Sequence, residues 1–173
     1  MDLDKLKYSY LTYLKIHIET QNPSGALIRS FLDSWFAYKM QGNFLSNGKR
    51  ERWFNKKDIA PKRLTEATKD CLLRMHFISK NALNAINSES ETVLIKDHAV
   101  PVKIIHKILR KDLNPSEESI EKLLQTYYSL GVLTSDEDKA LNKLGLKSEM
   151  PEDWDGVNVF ARYEKAGIQR ADI

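Results

Sequence analysis

LIKDHAVPVKII, residues 94–105, sets an apolar run against an aspartate and a histidine, with Pro101 three residues beyond the histidine. Thr92-Val93-Leu94-Ile95 is β-branched and bounded by polar residues, which predicts a strand. Pro101 suits the first position of a helix, because its missing N–H would have no partner there. Val102, Ile105, Ile108 and Leu109 then fall on one side of that helix. Between strand and helix, Asp97-His98 has two readings. Asp97 can cap the helix, with His98 packed near its start, or the pair can be the working end of a site.

Outward from this stretch the chain reads as helices. Leu3, Leu6, Tyr10, Tyr13 and His17 recur at helical spacing until Asn22-Pro23-Ser24-Gly25 breaks the pattern. Leu27, Ile28, Phe31, Leu32, Trp35 and Phe36 give a wide apolar stripe that predicts a second helix over 26–40. Residues 41–58, with Asn47-Gly48, read as a loop or short hairpin. Leu64, Ala67, Cys71, Leu72, Met75 and Ile78 form a third helical face, continued over 81–86 after a break. Asn114, with proline next, predicts the cap of a helix that buries Ile120, Leu123, Leu124 and Tyr127. Val132-Leu133 reads as a short extended link. Thr134-Ser135-Asp136-Glu137 has the spacing of a capping box, opening a helix that stops at Gly145. A last short helix is expected over 159–165. The expected architecture is mainly α: a single helical domain, 1–173, of about six to seven helices with a minor strand component.

A chain of 173 residues can bury roughly 70% of its unfolded surface and needs no staples. Its one cysteine, Cys71, cannot form an internal disulfide, and the first twenty residues lack the apolar core of a signal peptide. These features point to the cytoplasm. No apolar run approaches the roughly 20 residues that a bilayer requires, so no membrane span is expected.

The net charge is only +3, but it is polarised. Residues 44–80 hold ten basic side chains against four acidic ones, and residues 112–155 hold eleven acidic against four basic. Within the basic half, Lys49, Arg50, Arg52, Trp53, Lys56 and Lys57, followed by Lys62 and Arg63, mix cations with an aromatic ring. Such a surface can contact phosphates and stack on bases, so these eight residues are candidates for binding nucleic acid. The same aromatic could instead anchor a loop whose charges stay in water. His17 and His76 each stand among apolar neighbours and read as packed residues. Neither a glycine-rich phosphate loop nor a His-Glu-x-x-His pair occurs.

A strand ending in Asp97-His98 with Pro101 after it, Asp-His-x-x-Pro, resembles the first motif of the HNH, or ββα-metal, nucleases. The resemblance covers about a dozen residues. It implies a divalent metal such as magnesium bound through Asp97 and His98, with His98 also the base that activates water and Asp97 beside it in the catalytic centre. The family pattern continues through a second strand and then an asparagine and a histidine or asparagine on a helix. Here Pro101 opens a helix at once, Asn114 reads as a cap, and Leu123 stands where a further ligand would be sought.

The sequence therefore favours a non-catalytic helical interaction module that binds a protein or nucleic acid through polarised surfaces, basic over 49–63 and acidic over 112–155. The alternative is a small metal-dependent nuclease using Asp97 and His98.

Overall fold

The computed structural model describes residues 3–24, 28–29, 64 and 66–172. Of the helix expected over 26–40 only residues 28–29 are among them, helical and with Ile28 buried; the rest of it, with Trp35 and Phe36, the loop over 41–58 and the basic candidates between Lys49 and Arg63 lie outside them. The chain groups into two compact units, each built from two separate segments: Met1–Glu51 with Val102–Tyr128, and Arg52–Pro101 with Ser129–Ile173. Among the described residues the secondary structure is dominated by helices and includes one three-stranded sheet. No helix among the described residues is long and apolar enough to cross a membrane.

The first unit contains α1 (Leu3–Glu19), α4 (Val102–Leu109) and α5 (Glu117–Tyr127). The stripe on α1 is used as expected: Leu11, Leu14, His17 and Ile18 are buried. Opposite charges and a hydroxyl tie α1 to α5, through Lys7 to Glu121 at 2.7 Å and Thr12 donating to Glu117 at 2.9 Å. Helix α4 buries Val102, Ile105 and Leu109, with Pro101 one residue before its start. Asn114 is not the cap of α5. Ser116 is, in extended backbone, its hydroxyl accepting the Ser119 amide at 3.1 Å. The Asn114 amide donates to Asp112 instead, in a tight local turn. Leu124 is buried and Tyr127 half-buried, while Tyr128 takes the interior position beyond the helix.

The second unit contains α2 (Glu66–Leu73), β1 (Phe77–Ile78), α3 (Lys80–Asn87), β2 (Leu94–His98), β3 (Leu130–Thr134), α6 (Ser135–Lys143) and α7 (Ala161–Lys165). Ile78, expected on a helical face, is in a strand. Helix α2 ends in a turn at Leu72, and Ser79 caps a new helix, its hydroxyl accepting the Ala82 amide. That leaves Phe77-Ile78 extended between the two helices. Val132-Leu133, expected as a link, lies in the central strand of the sheet, ordered β1-β3-β2, and every residue of β3 is buried. Such a continuous apolar strand suits burial on both faces. Strand β1 runs parallel to β3, while β2 is antiparallel with Asp97 opposite Gly131 and His98 opposite Leu130.

The core of this unit joins Phe77, Ala99, Leu133, Leu141, Leu146, Tyr163 and Ile168. A fully buried leucine or isoleucine contributes roughly 1.5–3 kcal/mol to stability. The expected capping box is present. Thr134 accepts from the Glu137 amide, and the Glu137 carboxylate accepts from the Thr134 amide at 2.8 Å. Strand β3 therefore passes into α6 without an intervening loop.

Candidate functional site

Strand β2 is displaced towards its C-terminal end relative to the expected 92–95, so Asp97 and His98 belong to the strand itself. Consequently Asp97 does not cap α4. The Asp97 carboxylate turns to α7, where its Oδ2 accepts from Tyr163 Oη at 2.9 Å and from Arg162 Nη2 in a close ion pair. Both contacts fall on the same oxygen.

Arg162 is 1% exposed, and its donors are distributed over backbone as well as carboxylate. Nε donates to the Ala99 carbonyl at 2.8 Å, Nη1 to that of Leu146 at 2.7 Å, and Nη2 also to that of His98. A buried guanidinium is tolerated when its charge is paired and its planar fork of donors is satisfied. Arg162 meets both conditions and binds the backbone on either side of the strand's end. At the same place the Ala99 amide donates to the Ser129 carbonyl at 2.8 Å, extending the β2–β3 pairing beyond His98.

Tyr163 is fully buried, packed against Phe77 with ring centroids 4.7 Å apart. Its approach to Asp97 depends on Gly131. A Cβ at that position would lie 2.8 Å from the Tyr163 hydroxyl oxygen and just over 3 Å from two ring carbons. Glycine on the central strand thus leaves room for the hydroxyl to reach the residue paired opposite it.

Burial pushes the Asp97 carboxyl above its ordinary range, against the pull of Arg162, the Tyr163 hydrogen bond and His98. The negative charge of Asp138 acts in the same direction as burial. Tyr163 is held well above the usual phenol range by burial and by the charge of Asp97, so it remains a donor. Asp138 stands in the first turn of α6, half-buried, and one turn later Asn142 donates to its carboxylate at 3.4 Å. Asp97, His98 and Asp138 are therefore brought into one electrostatic neighbourhood by β2 and α6. His98 is 7% exposed, nearly closed to solvent.

Among the described residues, no group of three or more His, Cys, Asp or Glu is arranged to hold an ion by itself. Magnesium, however, is characteristically held by one or two carboxylates, with water and substrate phosphates completing its shell. Asp97 is a carboxylate of that kind, but one of its oxygens is already engaged by Arg162 and Tyr163, and Asp138 acts on it through charge alone.

Arg162, Tyr163 and Asp138 are absent from the candidates drawn from the sequence. The spacing of Asp138 and Asn142, four apart and directly after a strand, is a readable signal because it places both on one face of a helix. Arg162 and Tyr163 carry no such signal. In sequence they are two residues of a short terminal helix, 65 and 66 positions from Asp97.

His106 lies in the other unit, where its ring meets His17 at 5.6 Å. His76 accepts the Leu130 amide on Nδ1 at 3.1 Å, a structural role at the start of β3. A cleft of about 870 Å³ opens in the second unit, with Lys80, Asn81, Asn84, Asp136 and Gln169 among its lining residues. The buried Glu137 carboxylate also contributes to its wall, accepting from Ser79, Asn81 and Thr134.

Comparison with protein-family models, curated proteins and solved structures finds no match to this chain.

Proposed function

We propose that the chain is a metal-dependent phosphodiester hydrolase acting on nucleic acid, with Asp97 and His98 at its centre. The observation that carries this reading is topological. The strand ending in Asp97-His98 pairs antiparallel with β3, and β3 runs directly into α6. This is the strand, strand, helix order that the Asp-His-x-x-Pro resemblance implies. The second strand, which the sequence did not reveal, is displaced along the chain by α4 and α5.

In this reading Asp97 and His98 would be the residues toward a divalent ion such as magnesium, which would supply neutralisation of the charge building on the scissile phosphate. His98 takes the proton of the attacking water. The basic candidates Lys49, Arg50, Arg52, Trp53, Lys56, Lys57, Lys62 and Arg63 would hold the substrate through its phosphates. A cytoplasmic location fits such a protein.

The test is cleavage of single- and double-stranded DNA and RNA with magnesium or manganese present. Wild type should cleave at least one of them, and His98→Ala should lose about 10²- to 10⁴-fold in rate, the usual contribution of a general base. The variant's melting temperature shows whether the fold persists. Folded His98→Ala protein that cleaves as fast as wild type would sink the assignment.

A second reading is the non-catalytic interaction module. Its support is the near-closure of His98 together with the exposure of Asp136, Glu149, Glu152, Asp153 and Asp155 in the second unit. A basic protein surface would suit those charges. It predicts a wild type that cleaves none of the four substrates with either ion but is captured by such a partner, in a manner weakened by salt.

A further inference from the structure

We infer that the cleft walled by α3, α6 and the segment after α7 is a binding site for an uncharged, hydroxyl-rich ligand of the saccharide class. The inference stands apart from the hydrolase reading and shares no residue with it.

The cleft lies wholly within the second unit, and its volume of about 870 Å³ falls in the range of small-molecule sites, roughly 300–1,000 Å³. Helix α3 presents Asn81, Asn84 and Ser88 to it, at spacings that put all three on one face. Gln169 comes from the segment after α7, and Ser90 and Thr92 from the loop ahead of β2. The apolar part of the lining is mostly small, with Ala85, Ala140 and Ala166 beside Ile168.

Charge gives no advantage to an ion of either sign. Lys80 lies on the lining with Asp136, which is already paired with Lys139 at 2.8 Å, and with the buried carboxylate of Glu137. An anion would meet two carboxylates, and a cation would meet Lys80. No aromatic ring stands among the described lining residues, so a flat apolar ligand would find nothing to stack on. What remains are amides and hydroxyls, side chains that both donate and accept hydrogen bonds. A saccharide carries the same dual character at each of its hydroxyls.

Asn81 is set in advance for such a ligand. Its Nδ2 donates to Glu137 Oε1 at 3.1 Å, while the other oxygen of that carboxylate accepts from the Ser79 hydroxyl at 2.6 Å and the Thr134 amide at 2.8 Å. A satisfied buried network is rigid. The Asn81 amide is thereby oriented from behind, and its carbonyl oxygen and second N–H lie outside that bond.

The test is the backbone-amide magnetic resonance spectrum of the full chain, titrated to millimolar concentrations with maltose, lactose, chitobiose and maltoheptaose, and with spermidine and inorganic phosphate as charged comparators. Resonances of Asn81, Asn84 and Gln169 should move with at least one of the sugars. Asn81→Ala and Asn84→Ala each change an exposed side chain, so the rest of the spectrum should persist. Binding should weaken roughly five- to tenfold in either variant, the effect of losing one hydrogen bond.

Tighter binding of maltoheptaose than of maltose assigns the cleft to the end of a glycan, whereas equal binding, or binding of a disaccharide alone, assigns it to a free sugar; each supports the inference, given weakening in at least one variant. Sugars that move none of these resonances, or that bind wild type and both variants equally, overturn it. Spermidine or phosphate that moves the same resonances more strongly than any sugar overturns it as well.

Discussion

Gly131 shows how one side chain's absence organises the second unit. It needs no unusual backbone conformation, since it lies in regular antiparallel register with Asp97. Its requirement is space, because a Cβ would lie 2.8 Å from the Tyr163 hydroxyl. Gly131→Ala should therefore destabilise the protein by about 1–3 kcal/mol, as overpacking of a filled interior generally does. Denaturant unfolding measures this. Adding Tyr163→Phe should recover part of the loss, since the nearest atom is removed while ring carbons at 3.1 and 3.2 Å remain. Strict additivity of the two substitutions would show that the hydroxyl is not what Gly131 accommodates. The sequence offers no route to this arrangement. Gly131 reads as a helix stop, and only the tertiary fold brings Tyr163 over it.

At the scale of elements, local signals were legible where a few neighbouring residues decide the outcome. Thr134 and Glu137 form their capping box because both partners lie within one turn. Helix α1 ends before Asn22 as its stripe and break indicate. Signals failed where the deciding partner is distant. Phe77-Ile78 is extended because Gly131-Val132 offers a strand edge, and Val132-Leu133 is central because strands pair on both sides of it. Asp97 is no cap because Arg162 and Tyr163 offer a charge and a hydroxyl in place of backbone amides.

In the first unit, the paired helices carry a pH dependence. His17, on α1, and His106, on α4, place tilted rings 5.6 Å apart, and burial followed by the positive charge of Arg110 lowers both imidazoles from 6.5, His106 being lowered by His17 as well. Both are thus neutral in the folded protein at neutral pH, while the unfolded chain takes up protons as the pH falls past 6.5. Their contribution to stability is present above that value and lost as pH falls through the lowered values. The urea midpoint should drop between pH 7.5 and pH 5, and the drop should shrink in His17→Phe. An equal drop in wild type and variant would place the acid sensitivity elsewhere.

For the whole molecule, the helix-dominated class was readable from periodicity, whereas the proposed centre was only half readable. Asp97-His98 is conspicuous in sequence because two chemically useful residues interrupt an apolar run. The second strand was not, because α4 and α5 stand between the strands and the chain passes through the other unit before returning. The central claim is that Asp97 and His98, at the end of β2, are the working residues of a metal-dependent hydrolase. Cleavage of DNA and RNA measured against manganese concentration, for wild type and Asp97→Asn, tests it most directly. The account predicts that Asp97→Asn, with its circular-dichroism spectrum retained, requires at least tenfold more manganese for half-maximal rate. A wild type that cleaves nothing at any manganese concentration, or a folded Asp97→Asn curve that superimposes on an active wild type, would contradict it.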